Sequence, residues 1–327
     1  MAHLHTKSLH DQAKGLLGRH GDAPKKLVLL HTVLGLGVPL LVMVINFLLE
    51  GQIAKTGGLG GMAARSTLET VQSLLETGVL ILLPFWEMGL VFAALSWRKG
   101  HNADKSHLME GFRRFVNIFA LRLWSGVLFV IIGISVFYAS MFIFTATPWA
   151  KPVMELVSPT GEAVTPEQMQ AMLTPELTQQ LLHKMLPMFI LFLVLYAAVC
   201  IPLFYRLRFA NFILLEGEGG IRAMAQSLRM TKGGCLQICK LDLHFWWFYL
   251  LQILALALCY GDSILALLGV SLPMGQNVSF FVFYSAGMLL EGILFWQCQG
   301  HRLTTYALAY DAFQDPTILP DDILQEA

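Results

Sequence analysis

Six long apolar segments, separated by short polar segments, account for most of this chain. The first runs from Leu27 to Leu49 and contains no Lys, Arg, Asp or Glu. A helix of that length, at about 1.5 Å per residue, is long enough to cross a hydrocarbon core of about 30 Å. The other five lie near residues 74–97, 123–144, 185–205, 245–268 and 278–298. We therefore predict an all-α membrane protein with six transmembrane helices, forming one domain over residues 1–327.

Basic residues are concentrated in alternate connections between these segments. They occur before the first segment, between the second and third, and between the fourth and fifth, whereas the other connections hold few. Because cytoplasmic loops of membrane proteins are enriched in Lys and Arg, these three connections are predicted to be cytoplasmic. Both termini then lie in the cytoplasm. The acidic connection 149–184 becomes an exterior loop, and residues 299–327 become a cytoplasmic tail.

Composition and motifs exclude several classes of function. The formal net charge is zero, so no overall field would attract nucleic acid, and we predict no nucleic-acid partner. The chain contains no HExxH, GxSxG, GxGxxG or Walker-type motif, and we predict a non-enzymatic protein without a cofactor. Cys235 and Cys239 lie four residues apart with His244 nearby, but these are too few ligands for a closed tetrahedral site. We therefore predict no bound metal.

Two basic stretches, residues 106–119 and 221–234, have the periodicity of amphipathic helices. Their apolar stripes consist of Leu108, Phe112, Phe115 and Phe119 in the first stretch and of Ile221, Met224, Ala225 and Leu228 in the second. The candidate contacts for anionic head groups of the inner leaflet are Arg113, Arg114, Arg222, Arg229 and Lys232. Such helices either lie on the membrane surface or pack beneath the transmembrane helices without a specific ligand. The sequence leaves both alternatives open.

Two carboxylates fall within the predicted transmembrane helices. Glu87 lies near the middle of the second and Glu291 slightly past the middle of the sixth, at similar depths. A charged side chain in hydrocarbon costs about 2.5–3.5 kcal/mol on insertion scales, and such residues often mark transport pathways. One interpretation is a proton- or cation-linked site facing a polar cavity. The other is a protonated, hydrogen-bonded structural carboxyl at each position, because desolvation raises a carboxyl pKa.

Three segments share features with one family of membrane proteins. They contain an Arg-Gly turn followed by a helix with a Gly-Phe pair, an acidic turn followed by a helix and an Asp-containing motif, and a tyrosine-rich stretch after the last apolar segment. In chain order they are WRKGHNADKSHLMEGFRRF from Trp97, FANFILLEGEGGIRAMAQSLRMTKGGCLQICKLDLHFWW from Phe209, and TTYALAYDAF from Thr304.

Together these segments resemble the bacterial membrane proteins grouped as domain of unknown function 975. The resemblance implies a polytopic protein of the bacterial plasma membrane and supplies no catalytic residues. We therefore predict a protein that organises or assists other membrane components. The alternative is a small transporter or channel that uses the two intramembrane carboxylates. A polar cavity joining Glu87 to Glu291 would favour transport, and tight packing around them would favour the first function.

Overall fold

The computed structural model of the protein describes residues 6–56, 58–153, 175–267 and 276–314. These residues are almost entirely helical and contain no β-strand, which confirms the predicted all-α class. A π-helix (Val33–Gly37) joins α2 to α3. In chain order the α-helices are α1 (Thr6–Arg19), α2 (Ala23–Thr32), α3 (Val38–Thr56), α4 (Gly58–Arg98), α5 (Lys105–Arg113), α6 (Phe115–Thr145), α7 (Pro175–Arg206), α8 (Ala210–Leu215), α9 (Gly220–Met230), α10 (Cys235–Leu243), α11 (Trp246–Cys259), α12 (Gly261–Leu267) and α13 (Gln276–Gln314).

Among the described residues, five helical segments are long and apolar enough to cross a membrane. A sixth is obtained only if α10 and α11, which meet at a bend of 69°, count as one span. The predicted fifth segment, 245–268, is divided because α11 ends at Cys259 and α12 begins at Gly261. With 14 residues, α11 rises only about 21 Å, less than a hydrocarbon core. The structure therefore supports five to six spans. The predicted exterior loop 149–184 lies largely outside the described residues.

By its internal contacts the chain forms two compact units, where the sequence predicts one domain. Unit 1 comprises residues 1–120 and 209–327, and unit 2 comprises residues 121–208. In unit 2, Gly133 of α6 lies against the ring of Tyr196 of α7, and Phe137 packs on Phe192. Most large apolar side chains of α6 and α7 are exposed, as expected for helices that face lipid.

Two very long helices organise unit 1. α4 has 41 residues and α13 has 39, so each rises about 60 Å, roughly twice the thickness of a hydrocarbon core. On α4 the exposed large apolar side chains lie within residues 71–82, whereas residues 85–98 are buried or half-buried. On α13 they lie within residues 278–296, whereas residues 298–313 are buried or half-buried. Each helix therefore has a part that faces outward and a part enclosed by protein, and α13 continues well past the predicted end of the sixth span.

The enclosed parts of α4 and α13, together with α1, α5, α8, α9 and α10, form what we call the terminal layer. The N-terminal and C-terminal helices meet in this layer, because Nε2 of His301 donates to the carbonyl oxygen of His10 at 3.1 Å. The first and last described helices therefore reach the same end of unit 1.

Two glycines allow α5 to lie directly against α4. A Cβ atom at Gly89 would overlap the backbone of Leu108, and one at Gly111 would overlap the carbonyl of Phe85. Asp104 starts α5 by accepting the backbone N–H of Ser106 at 3.0 Å. The predicted helix over 106–119 is in fact two helices, since the backbone of Arg114 is non-helical between α5 and α6. Along its apolar stripe Leu108 and Phe112 pack on α4, whereas Phe115 and Phe119 of α6 are about half exposed, although the ring of Phe115 still stacks on Phe85.

Candidate functional site

A buried arginine connects three elements of the terminal layer. The side chain of Arg98, at the end of α4, is only 8% exposed. Its Nη1 donates to Oδ1 of Asp311 on α13 at 2.5 Å, and its Nη2 donates to Oε1 of Glu216, which follows α8, at 3.4 Å. The hydroxyl of Tyr310 donates to Oε2 of Glu216 at 2.6 Å. We call these four residues the Arg98 network.

The Arg98 network holds together segments that are distant in the sequence. Asp311 and Glu216 are separated from Arg98 by 213 and 118 positions, respectively. A buried ion pair adds little net stability over a well-packed apolar pair, but removal of one partner leaves an uncompensated charge and costs about 3–5 kcal/mol. The network therefore fixes which helix ends meet in the terminal layer.

A second polar network lies at the bend between α10 and α11. The carboxylate of Asp242, the second-last residue of α10, accepts the hydroxyl of Tyr249 on α11 at 2.7 Å. It also accepts the hydroxyl of Tyr306 on α13. The guanidinium of Arg302 lies 5.1 Å from the ring centroid of Phe248. Because Asp242 lies at the end of α10 and accepts a hydrogen bond from Tyr249 of α11, this network links the two sides of the bend and stabilises it.

The Arg98 network, and both Asp242 and Tyr306 of the second network, come from the three segments that carry the family resemblance. Arg98 belongs to the Arg-Gly turn, Glu216 to the acidic turn and Asp242 to the Asp-containing motif, and the two tyrosines belong to the stretch that follows the last apolar segment. Comparison of the chain with protein-family models, with curated proteins and with solved structures finds no match. Membership of the family therefore stays a prediction.

Three histidines join α1 to the bend and to α13. The ring of His10 stacks on that of His244 with centroids 4.6 Å apart, and meets the ring of His301 edge-on at 5.3 Å. Burial, followed by the proximity of His301 and then His244, lowers the pKa of His10 to about 4. Within the described residues, no group of three or more His, Cys, Asp or Glu side chains has a geometry that could hold a metal ion. Neither Cys235 nor Cys239, both of which the structure describes, is in a disulfide.

The two predicted intramembrane carboxylates are half-buried and lie on different helices of unit 1. Glu87 is two residues from both Phe85 and Gly89, so it lies on a different face of α4 from the one that packs on α5. Glu291 is on α13 one turn after Gly287, which contacts Ala255 and Cys259 of α11. Unit 1 has a polar cavity beside α5 and α8 and an apolar groove between α2 and α13, and neither carboxylate lines either of them.

The basic residues predicted to contact lipid fall into two groups. Arg114 is partly buried, and its Nη1 donates to the carbonyl of Leu214 at 2.8 Å, so it ties the start of α6 to α8. Arg113 is exposed and forms an ion pair with Glu110 at 3.0 Å. The three candidates in and after α9 are exposed: Arg222, Arg229 and Lys232.

The apolar stripe of α9 is not the face that packs on the protein. The buried residues of α9 are the small Gly220, Ala223 and Ser227. Ile221 is 57% exposed, Ala225 is exposed, and the other two stripe residues are half-buried. The helix therefore presents apolar side chains outward beside its basic ones. A helix that merely packed beneath the bundle would bury its apolar stripe, so this arrangement favours the membrane-surface alternative.

Sequence reasoning missed the Arg98 and Asp242 networks. It searched the centres of the apolar segments, whereas these charges lie at helix ends and in connections. The signal that could have found them is an acidic residue in an otherwise apolar helix, as at Asp311 in YALAYDAF. Their pairing could not have been found, because it joins residues that only the fold brings together.

Proposed function

We propose that this protein is a non-enzymatic, multi-pass protein of the bacterial plasma membrane that organises or assists other membrane components. In this proposal both termini and the terminal layer are cytoplasmic. The observation that carries it is the contrast within the terminal layer between a cross-linked interior and an outer surface that is both apolar and basic. Such a surface suits contact with anionic lipids and with the cytoplasmic parts of neighbouring membrane proteins.

The distribution of charge supports the proposed orientation. The terminal layer contains α1, α5 and α9, which belong to the three basic parts of the chain. The positive-inside rule assigns such segments to the cytoplasm. The hydrogen bond between α1 and α13 supports a common side for both termini.

The outer surface of the terminal layer supports a role at the inner leaflet. α9 carries exposed Ile221 beside exposed Arg222 and Arg229. Leu236 and Leu243 of α10 are also exposed, and the exposed Trp246 and Trp247 follow. Apolar, aromatic and basic side chains in this combination are typical of helices that lie at the boundary between head groups and acyl chains.

Transport through Glu87 and Glu291 is the second candidate. It requires a polar path between helices, and neither carboxylate lines the polar cavity or the apolar groove of unit 1. The ends of α4 and α13 are also joined by the Arg98 network, which opposes the relative movement that alternating access needs. Both observations support the first proposal over the second.

The orientation is tested by labelling single cysteines in intact cells. In a chain whose natural cysteines are replaced by serine or alanine, Asp22→Cys and Lys151→Cys would each be exposed to a membrane-impermeant maleimide. We expect labelling at position 151 in intact cells, and at position 22 only after the cells are lysed. Labelling at position 22 in intact cells would contradict a cytoplasmic N-terminus.

The function is tested by removing the protein from its native cells and measuring the abundance of the other membrane proteins by quantitative proteomics. We expect changes that the wild-type chain restores and that a chain with Glu87→Gln and Glu291→Gln restores equally. A chain with Arg229→Glu on the exposed face of α9 and Lys232→Glu just after that helix should fail, whereas Lys151→Glu should succeed as a control. Restoration by the α9 variant together with failure of the double Gln variant would favour transport instead.

A further inference from the structure

A polar cavity of about 660 Å³ lies in the terminal layer between the end of α4, the start of α5 and the end of α8. Its size is within the range of pockets that hold small-molecule ligands, about 300–1,000 Å³. The lining residues are Phe92, Leu95, Ser96, Lys99, His101, His107, Leu215 and Glu216. None of the candidate functional residues predicted from the sequence lines this cavity.

One wall of the cavity is apolar and the other offers cationic or hydrogen-bonding groups. Phe92, Leu95 and Leu215 form the apolar wall. The polar wall contains the ammonium group of Lys99 and the imidazole of His101, and both side chains are exposed. Such a wall can surround an anionic group while the apolar wall packs against the rest of the ligand.

The imidazole of His107 is held in a fixed position at this wall. Its Nδ1 lies 3.1 Å from the backbone nitrogen of Asp104 and 2.9 Å from Oδ1 of the same residue. Because Nδ1 is engaged at the start of α5, Nε2 is the ring nitrogen that remains for a ligand. The ring of Phe92 lies 5.4 Å away and limits how the imidazole can turn.

The only carboxylate of the lining residues is already satisfied by other groups. Oε1 of Glu216 accepts from Arg98, and Oε2 accepts from Tyr310 and from Gln314 at 3.3 Å. Because Arg98 also pairs with Asp311, its single positive charge does not cancel both carboxylates. The lining residue that supplies positive charge to a ligand is Lys99.

We propose that this cavity binds a phosphate group, carried by a phospholipid head group or by a soluble phosphate ester. The phosphate contacts Lys99, His101 and His107, and the apolar part of the ligand packs on Phe92 and its neighbours. Phe92 is ten residues beyond Leu82, the last exposed large apolar residue of α4, and therefore lies about 15 Å further along the helix. That distance places the cavity at or beyond the depth of the head groups, where both sources of phosphate occur.

The proposal is independent of whether the terminal layer organises other proteins. It does connect the ligand to the fold, because Glu216 belongs both to the cavity wall and to the Arg98 network. Binding is thus expected to raise the stability of the terminal layer by an amount that grows with the logarithm of the ratio of ligand concentration to dissociation constant.

The test compares lipid and soluble ligands on the purified full-length chain. Native mass spectrometry measures phospholipid that stays bound after release from nanodiscs of phosphatidylglycerol and phosphatidylethanolamine. Calorimetry measures the binding of glycerol 3-phosphate to the delipidated chain. The test variants are Lys99→Gln and His107→Gln, and glutamine at position 107 retains a side chain suited to the third position of a helix. The controls are Lys105→Gln and Lys25→Gln, which change exposed lysines that do not line the cavity.

We expect each test variant to lose about tenfold or more in affinity, or the corresponding bound lipid, since a hydrogen bond to a charged group contributes about 1.5–3 kcal/mol. The controls should match the wild type. Loss of retained lipid alone identifies a head group, and loss of glycerol 3-phosphate binding alone identifies a soluble ester. If the wild type binds neither ligand, or if folded test variants bind as the wild type does, the proposal is wrong.

Discussion

The two ends of α4 contain the same kinds of feature in different surroundings. Near its start, Arg65 and Glu69 form an ion pair at 3.0 Å whose side chains are 65% and 63% exposed, and in its middle Gly78 has open space where a Cβ would lie. Near its end, Arg98 forms a buried ion pair and Gly89 lies against the backbone of α5. Residue type is therefore a poor guide to importance within this helix, and the difference in burial should decide the effect of each substitution.

The largest difference is expected between the two arginines. Arg98→Gln removes a buried charge that faces two partly exposed carboxylates, and it should lower the free energy of unfolding by about 3 kcal/mol, the lower end of the range for a buried pair. Arg65→Gln breaks a solvent-exposed pair and should change it by less than about 0.5 kcal/mol. The measurement is unfolding of the purified chain in mixed micelles with increasing SDS.

A compensating variant sharpens this first comparison. Arg98→Met combined with Asp311→Leu removes both charges of the closest pair, and we expect it to be more stable than Arg98→Gln alone. Glu216 retains its hydrogen bond from Tyr310 in that variant. Equal losses for Arg98→Gln and Arg65→Gln would show that burial does not distinguish the two ends of α4.

The two glycines of α4 should differ by the next largest amount. Gly89→Ala places a methyl group on the backbone of Leu108, so α5 must move away from α4, and we expect a loss of about 1–3 kcal/mol. Gly78→Ala meets nothing within 4 Å and should be neutral or stabilising by up to about 1 kcal/mol, because alanine favours the helix. Thermal unfolding followed by tryptophan fluorescence measures both. A stabilising Gly89→Ala would mean that α5 does not pack on α4 as described.

The outward and enclosed parts of the long helices also show what sequence reasoning can and cannot find. Hydropathy and periodicity predicted the all-α class and most helix positions, because both lipid and protein interior select apolar residues. Because both environments select apolar residues, hydropathy and periodicity could not show that α4 and α13 are each about twice as long as a hydrocarbon core is thick. The break at Arg114 and the one between Cys259 and Gly261 were missed, since each interrupts a pattern that otherwise continues.

The candidate site was less predictable than the fold. The spacing of the basic residues of α9 was enough to propose them as contacts for lipid head groups. It could not decide whether the apolar residues beside them pack on the protein or face lipid. The Arg98 network depends on contacts between segments more than 100 positions apart. No local pattern encodes such a pairing, because each partner's own neighbours are compatible with an exposed charge.

A smaller effect is expected at the bend between α10 and α11. Tyr306→Phe removes one of the two hydroxyls that donate to Asp242 and leaves a buried carboxylate with fewer partners. We expect a loss of about 1–3 kcal/mol. Tyr260→Phe removes the hydroxyl of an exposed tyrosine at the end of α11 and should have no measurable effect. Hydrogen exchange of α10 should increase in the Tyr306→Phe variant only. Unchanged exchange in that variant would show that Asp242 does not stabilise the bend.

The smallest effect is expected from acid, through the contact of α1 with the rest of the terminal layer. The pKa of His10 is about 4, below its ordinary value of 6.5, so the folded chain binds fewer protons at this site than the unfolded chain between these two pH values. Stability contributed by neutral His10 is therefore complete above about pH 6.5 and is lost as the pH falls toward 4. His244 and His301 face the ring and add repulsion on protonation, whereas Asp11 offsets part of it.

The pH effect is measured as hydrogen exchange of α1 at pH 7 and pH 5. We expect faster exchange at pH 5, after correction for the intrinsic rate, in the wild type and in His101→Gln, which changes an exposed histidine remote from this cluster. His10→Gln should show nearly the same protection at both pH values. If that variant keeps the full pH dependence, a group other than His10 controls the contact of α1 with the terminal layer. His10 would then resemble the residues at the exposed end of α4, where a substitution has little effect, rather than those at the enclosed end.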